Sequence, residues 1–206
     1  MISQRETERK SLIICICGMA GSGKSTLAKR LAEKYGLRYF SGGDALRALA
    51  LKEGYKSLER GWWEGEEGLR FLRKRGSDKK FDESVDKELL ATARRGNVIL
   101  DSWTMPWLLK DGFKIWLEAS SEKRAKRISK RDKTAFEEAL AALKRKEEHT
   151  KAIYKSLYGF SLGNDYAPFD LILDTENLNG KEVFQVLCMV IDNVVLSSEE
   201  HKGSRK

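Results

Sequence analysis

The 206-residue chain is 41% hydrophobic and 34% charged, and its 39 Lys and Arg against 31 Asp and Glu give a formal net charge of +8. That apolar fraction suffices for one substantial core, while no run approaches the roughly 18 consecutive apolar residues of a membrane helix and the start MISQRETERK has no apolar signal segment, which points to a cytoplasmic protein with no membrane partner. Three cysteines without C-x-x-C spacing form neither a disulfide framework nor a zinc site, and Cys15 and Cys17 are expected as small buried hydrophobes.

The first ten residues are polar and are expected to fray, as is the tail 197–206. The first apolar run, Leu12–Cys17, lacks polar alternation and so suits a strand buried on both faces. It leads directly into GMAGSGKS, residues 18–25, which fits G-x-x-x-x-G-K-[ST]. Gly18, Gly21 and Gly23 let the backbone curl so that successive N–H groups aim at phosphate oxygens. A helix over Lys24–Tyr35 then presents its positive end to the same anion. In this reading Gly18, Met19, Ala20, Gly21, Ser22, Gly23, Lys24, Ser25 and Thr26 bind the ATP phosphates. Lys24 bridges the β- and γ-phosphates, and Ser25 holds Mg²⁺.

A second strand, Leu37–Phe40, is followed by SGGDALR, residues 41–47, opening a helix over Asp44–Lys52. Ser41 and Asp44 are both suitable N-caps, and Arg47 lies one turn in, toward the crevice at the strands' carboxyl ends. Ser84–Arg95 reads as a helix and Asn97–Asp101 as the third strand, ending in a carboxylate that can hold Mg²⁺ beside the phosphate loop. Of the five tryptophans, Trp62, Trp63, Trp103 and Trp107 fall in segments around this crevice, where they either stack on a base or pack between helices. The fourth strand, Phe113–Glu118, precedes a basic helix over Ser121–Arg131, in which Arg127 and Arg131 are four apart on one face. A long helix from Thr134 to Leu157, a fifth strand over Phe169–Asp174 and a helix over Lys181–Leu196 complete the pattern. Strands alternating with helices predict a parallel sheet covered on both faces.

The pairing of GMAGSGKS with SGGDALR resembles the nucleoside monophosphate kinases. The segments VDKELLATARRGNVILDS, FKIWLEASSEKRAKRISKRD, KEEHTKAIYKSLYGF and FDLILDTENLNGKEVF make the likeness specific to the archaeal-type cytidylate kinases, over roughly residues 12–195. The resemblance implies an α/β, three-layer P-loop NTPase fold with a five-stranded parallel sheet. It implies a core of residues 11–40, 82–126 and 159–196, a small helical acceptor domain over 41–81 and a helical lid over 127–158. It implies a magnesium-dependent kinase that transfers the γ-phosphoryl of ATP to CMP or dCMP. Ser41, Gly42, Asp44, Arg47 and Trp103 would meet the acceptor, Lys24, Asp101, Arg127 and Arg131 would be catalytic, and Ser25 and Asp101 would hold the metal.

The sequence departs from the family's pattern in two places. Trp103 stands where an acceptor-binding arginine is usual, leaving Arg70, Arg73 or a lysine to compensate. In the second half of the lid, Lys146, Glu147, His149 and Ile153 occupy the places of an altered R-E-x-S-E-x-x-R pattern, of which Lys146, His149 and Ile153 depart from it, with Arg145 one register away. These departures keep open an acceptor hydroxyl on a small molecule or RNA, or a nucleotide-dependent RNA-binding protein with little turnover; nucleic acid is a possible partner, not a required one. A monomer or weak dimer is expected.

Overall fold

The strand β1 (Ile13–Gly18) runs down the middle of a five-stranded sheet in the order β2-β3-β1-β4-β5, with β2 (Arg38–Ser41), β3 (Val98–Asp101), β4 (Phe113–Glu118) and β5 (Leu171–Asp174) all parallel to their neighbours. The computed structural model describes residues 12–56, 62–63 and 65–196. The expected fraying of both tails therefore lies outside the described residues. The unalternating hydrophobicity of β1 has the predicted cause: Ile14 and Ile16 face one layer, Cys15 and Cys17 the other, and all four are fully buried. Burial pushes both thiols up, so they pack as unreactive hydrophobes.

One layer consists of α1 (Lys24–Tyr35) and α8 (Gly180–Val190), whose Leu27, Leu31, Val183 and Leu187 cover Ile14, Ile16, Ile99 and Ile115. The opposite layer carries α2 (Gly42–Lys52), α3 (Glu66–Ser77), α4 (Lys80–Arg94), the single turn α5 (Met105–Leu108) and α7 (Phe136–Tyr158), and α6 (Ser121–Asp132) packs on α7 and on Ala20 of the loop after β1. Helix ends follow the local chemistry. Gly36 closes α1 in the left-handed region, and Asn179 opens α8 with a capping box to Glu182. Ser41 caps α2 by accepting from the Asp44 amide at 3.1 Å, which leaves Asp44 in the first turn rather than at the cap. Beyond Val190 the last helix widens into a π-helical turn over Ile191–Leu196.

Several boundaries differ from those read in the sequence. Helix α4 starts at Lys80 rather than Ser84, and α3, which apolar spacing does not mark, falls within the helical segment 41–81 that the resemblance implies. Pro106 lies inside the first turn of α5, where its missing N–H costs nothing. The last strand is an edge strand with alternate residues exposed, Ile172 among them, so its apolar run does not reflect burial on both faces. Gly68 lets α3 pass directly beneath the preceding segment, since a Cβ there would sit 2.1 Å from the Trp62 carbonyl.

The long helix α7 is fixed to the sheet by one buried arginine. Arg124 on α6 donates to the carbonyls of Ala119, at 2.9 Å, and Ala20, at 3.0 Å, and pairs with Glu147 on α7. Both partners of the ion pair are largely buried, so removing the carboxylate strands a charge. We expect Glu147→Ala to lose about 3 kcal/mol, on the order of 10 °C in Tm for a chain of this length. The neighbouring Glu148→Ala, at an exposed site on the same helix, should shift Tm by about 1 °C or less; thermal unfolding of the two variants side by side checks this.

Candidate active site

Strand register assembles the site at the carboxyl edge of the sheet. Ile16 and Ser41 both align with Asp101, so the strands that lead into the phosphate loop and into α2 end level with that carboxylate. This is where open α/β sheets place their ligands. A cleft of about 580 Å³ opens there. Residues of GMAGSGKS line one part of it, and Ser41, Gly42, Asp44 and Arg47 line another.

The loop from Gly18 to Gly23 has the conformation its glycines predict. Gly18, Gly21 and Gly23 take φ values of 149°, 81° and 92°. A Cβ on Gly18 would come within 2.6 Å of the Leu117 carbonyl, and one on Gly21 within 2.8 Å of the Arg124 carbonyl. Helix α1 starts without a side-chain cap, and its first turn holds no acidic residue, whereas the first turns of α2, α3, α4, α6, α7 and α8 each hold at least one. Its first N–H groups and its positive end therefore suit an anion supplied from outside. Lys24, Ser25 and Thr26 line the cleft, whereas Met19 is buried and Ser22 lies almost fully buried behind the loop.

Asp101 is 4% exposed, lines the cleft, and accepts a hydrogen bond from the Tyr39 hydroxyl at 3.2 Å. Tyr39, which sequence reading missed, is held well above the ordinary phenol pKa by its burial and by the Asp101 charge, so it stays a donor. Among the described residues no cluster of three or more His, Cys, Asp or Glu could hold a metal by itself. One carboxylate and one hydroxyl, Asp101 and Ser25, nevertheless suit Mg²⁺, which keeps several waters and takes the rest of its ligands from phosphates.

Trp103 neither packs away from the site nor stands clear of it. Its Nε1 donates to the Gly18 carbonyl at 2.6 Å, its ring meets Tyr154 edge to face at 6.2 Å, and the Lys24 ammonium lies 5.2 Å from its centroid. A second ammonium, that of Lys146, lies 5.9 Å from the same ring and 5.5 Å from that of Trp63. Trp62 and Trp63 also line the cleft; Trp107 does not, being stacked on Phe160 at 3.9 Å with its Nε1 on Asp165.

The basic helix α6 divides its arginines. Arg124 is structural, while Arg127 and Arg131 line the cleft. Arg127 donates to the Thr175 carbonyl at 2.7 Å and the Thr175 hydroxyl at 3.2 Å. Its pKa is lowered by desolvation, with Arg124 acting in the same direction and Glu176 opposing. Arg131 engages its neighbour Asp132 at 2.6 Å.

On α7, Lys146 is buried and lines the cleft, Glu147 binds Arg124, and Ile153 is core. His149 contacts the Arg145 carbonyl one turn back. Arg145 itself is exposed and does not line the cleft, so the one-residue shift considered from sequence does not occur. Of the cations weighed to replace the absent arginine, Arg70 pairs with Glu67 on the surface and Arg73 is exposed; neither lines the cleft. Lys146 and the unanticipated Arg75 do. Among the described residues, no helix is long and apolar enough to cross a membrane.

Known proteins resemble this chain in sequence and in fold. Cytidylate kinase of Pyrococcus horikoshii is 32% identical over 199 residues, covering 96% of each chain. Cytidylate kinase of Methanocaldococcus jannaschii is 35% identical over 188 residues, covering 89% of this chain and 99% of that protein. Among solved structures, shikimate kinase of Bacteroides thetaiotaomicron superposes with a TM-score of 0.54 at 15% identity, over 89% of this chain and 99% of that one, a likeness of fold. The model of the cytidylate kinase-like family matches residues 13–177, and the chain belongs to that family.

Proposed function

We propose that the protein is an ATP-dependent cytidylate kinase that transfers the γ-phosphoryl group to CMP or dCMP. The observation that carries this reading is the single cleft shared by the phosphate loop and the SGGDALR segment, in a chain of the cytidylate kinase-like family. Residues 41–81 are proposed as the acceptor-binding part, 127–158 as the lid, and the remainder of 11–196 as the core.

Gly18 to Thr26 would hold the donor phosphates, with the backbone amides of the loop and of the first turn of α1 supplying the hydrogen bonds. Lys24 would neutralise charge between the β- and γ-phosphates. Ser25 and Asp101 would hold Mg²⁺, which when bound neutralises phosphate charge and fixes the donor's orientation. Arg127 and Arg131 would face the transferring group, where charge spreads over its equatorial oxygens. Ser41, Gly42, Asp44 and Arg47 would receive the acceptor phosphate, with Arg47 as its cation. Lys146, flanked by the indoles of Trp63 and Trp103, supplies the positive charge that Trp103 itself does not. An acceptor phosphate oxygen is already anionic near neutral pH, so alignment, water exclusion and charge neutralisation suffice without a general base.

A coupled assay of ADP release with CMP, dCMP, UMP, AMP and short RNA ends tests the reading: CMP or dCMP should support the highest kcat/KM, and turnover only with RNA would overturn it. Lys24→Ala should reduce transfer by at least about 100-fold while leaving cooperative unfolding intact. Arg47→Ala should raise the KM for CMP by about tenfold or more with less than a twofold change in the KM for ATP; equal effects on both would remove Arg47 from the acceptor site.

A further inference from the structure

Trp103 stands in the bend between β3 and α5 and lines the cleft. The parallel sheet brings this bend to the same edge as the phosphate loop, so a large side chain there has to meet what the loop presents. Three sets of contacts fix its ring. The indole N–H donates to the Gly18 carbonyl at 2.6 Å, which ties one edge of the ring to the root of the loop. Tyr154 of α7 meets it edge to face, with the planes at 77°. Its apolar body packs against the cluster of Ala20 in the loop, Ile128 on α6, and Ala139 and Leu143 on α7.

The partners that remain for the ring are cations. The Lys24 ammonium lies 5.2 Å from its centroid and the Lys146 ammonium 5.9 Å. Both are within the range of about 6 Å in which an ammonium is attracted to an aromatic quadrupole, and indole is the strongest of the three rings in this respect. Lys24 is half-buried and Lys146 is buried, so water screens the attraction less than it would at the surface.

A lysine carries its charge on a flexible four-carbon stem and does little by itself to fix where the ammonium sits. A ring anchored by a hydrogen bond to Gly18 supplies the fixed point. The two lysines arise on different elements, one at the start of α1 and the other within α7, and a single ring sets the place of both. Packing between helices would account for the contacts with Ile128, Ala139 and Leu143, but it gives no reason for two ammonium groups to share the ring. Stacking on a base would require a ring whose π surface is not already engaged by Tyr154 and two cations.

We propose that Trp103 is a positioning residue for the phosphate-loop lysine: anchored on Gly18, its indole holds the Lys24 ammonium, and with it that of Lys146, at set places in the cleft. The phosphates then meet two placed charges rather than two mobile ones, and the entropic cost of fixing those side chains falls outside the transfer step. This assignment rests on the cytidylate kinase reading, in which Lys24 faces the β- and γ-phosphates, and it gives Trp103 to the cations rather than to the acceptor.

Two measurements on the full-length protein test it. Trp103→Phe and Trp103→Leu both lose the indole N–H, and only Phe keeps an aromatic face, so their difference isolates the cation contact. In the ADP-release assay with CMP, Trp103→Leu is expected to lower kcat about tenfold or more, and Trp103→Phe to stay within about threefold of the wild type. The second measurement is one that packing alone would not move. A charge so close to an indole shifts its fluorescence, so Lys24→Met, which keeps the stem and deletes the charge, is expected to shift the tryptophan emission of the otherwise intact chain. In a Trp103→Phe background, where the other four of the five tryptophans remain, the same Lys24→Met change is expected to leave the emission where it was. A kcat for Trp103→Phe no higher than that for Trp103→Leu would overturn the proposal, as would an emission indifferent to the Lys24 charge while Trp103 is present. The emission of Lys24→Met alone decides the matter if the Trp103 variants fail to fold. Because emission is read without nucleotide or turnover, a shift that depends on the Lys24 charge in a protein releasing no ADP with CMP would uphold the placement of Lys24 by Trp103 and overturn the kinase reading instead.

Discussion

The geometry of the cleft depends on one guanidinium. Arg124 is buried, and its donors reach the Ala20 carbonyl in the phosphate loop, the Ala119 carbonyl at the end of β4, and the Glu147 carboxylate on α7. A planar fork with several fixed donors can tie three chain segments into one plane, which a lysine ammonium does less well. Because Glu147 is adjacent to Lys146, fixing the first determines where the second emerges, beside Trp103 and Trp63. Helix α7 is therefore registered to the phosphate loop through a buried ion pair, not through surface contacts that salt would screen.

That registration accounts for the unusual tryptophan. With α7 held in place, Tyr154 meets the Trp103 ring edge to face, and the indole N–H is left to satisfy the Gly18 carbonyl at the root of the loop. An arginine in the same position would add charge to a neighbourhood that already contains Lys24 and Lys146. The indole instead presents the weakly negative face of its π system to both ammonium groups.

Much of this was legible in the sequence, for reasons that can be named. The five strands, the loop at residues 18–25 and the cap at Ser41 all follow from local rules: apolar runs, glycine spacing and a hydroxyl three residues before a free amide. The placement of Ser41, Arg47 and Asp101 around one cleft followed from topology, since parallel strands bring their carboxyl ends to one edge. The helix α3 was not legible, because Gly68 and Gly76 interrupt a short charged stretch whose helical form depends on packing against α4 and α7. For the same reason nothing in the run R-K-R-G sets Arg75 apart from a surface cation. Only the long-range partners Asp82 and Tyr154 distinguish it from Arg73 two residues earlier. The short turn at Met105–Leu108 escaped notice because a proline at its start reads equally well as a loop.

The cleft is electrically polarised, and this constrains how any ligand can lie in it. Around the phosphate loop stand Lys24, Arg127 and Arg131, with Arg47 and Lys146 also lining the cleft; across two aromatic rings from Lys24 the cluster of Asp82, Asp86 and Arg75 carries one more carboxylate than cation. In a setting shielded from bulk water such fields act with less screening than at the surface. A molecule with phosphate at one end and a hydrogen-bond-donating heterocycle at the other is aligned by both ends at once, whereas a molecule reversed in the cleft meets repulsion at both. Orientation of this kind lowers the entropic part of the barrier before any bond changes. It also makes selectivity and rate depend on the same electrostatic arrangement, so a substitution at the acidic end would affect phosphoryl transfer through misalignment even though no atom there touches the reacting phosphorus.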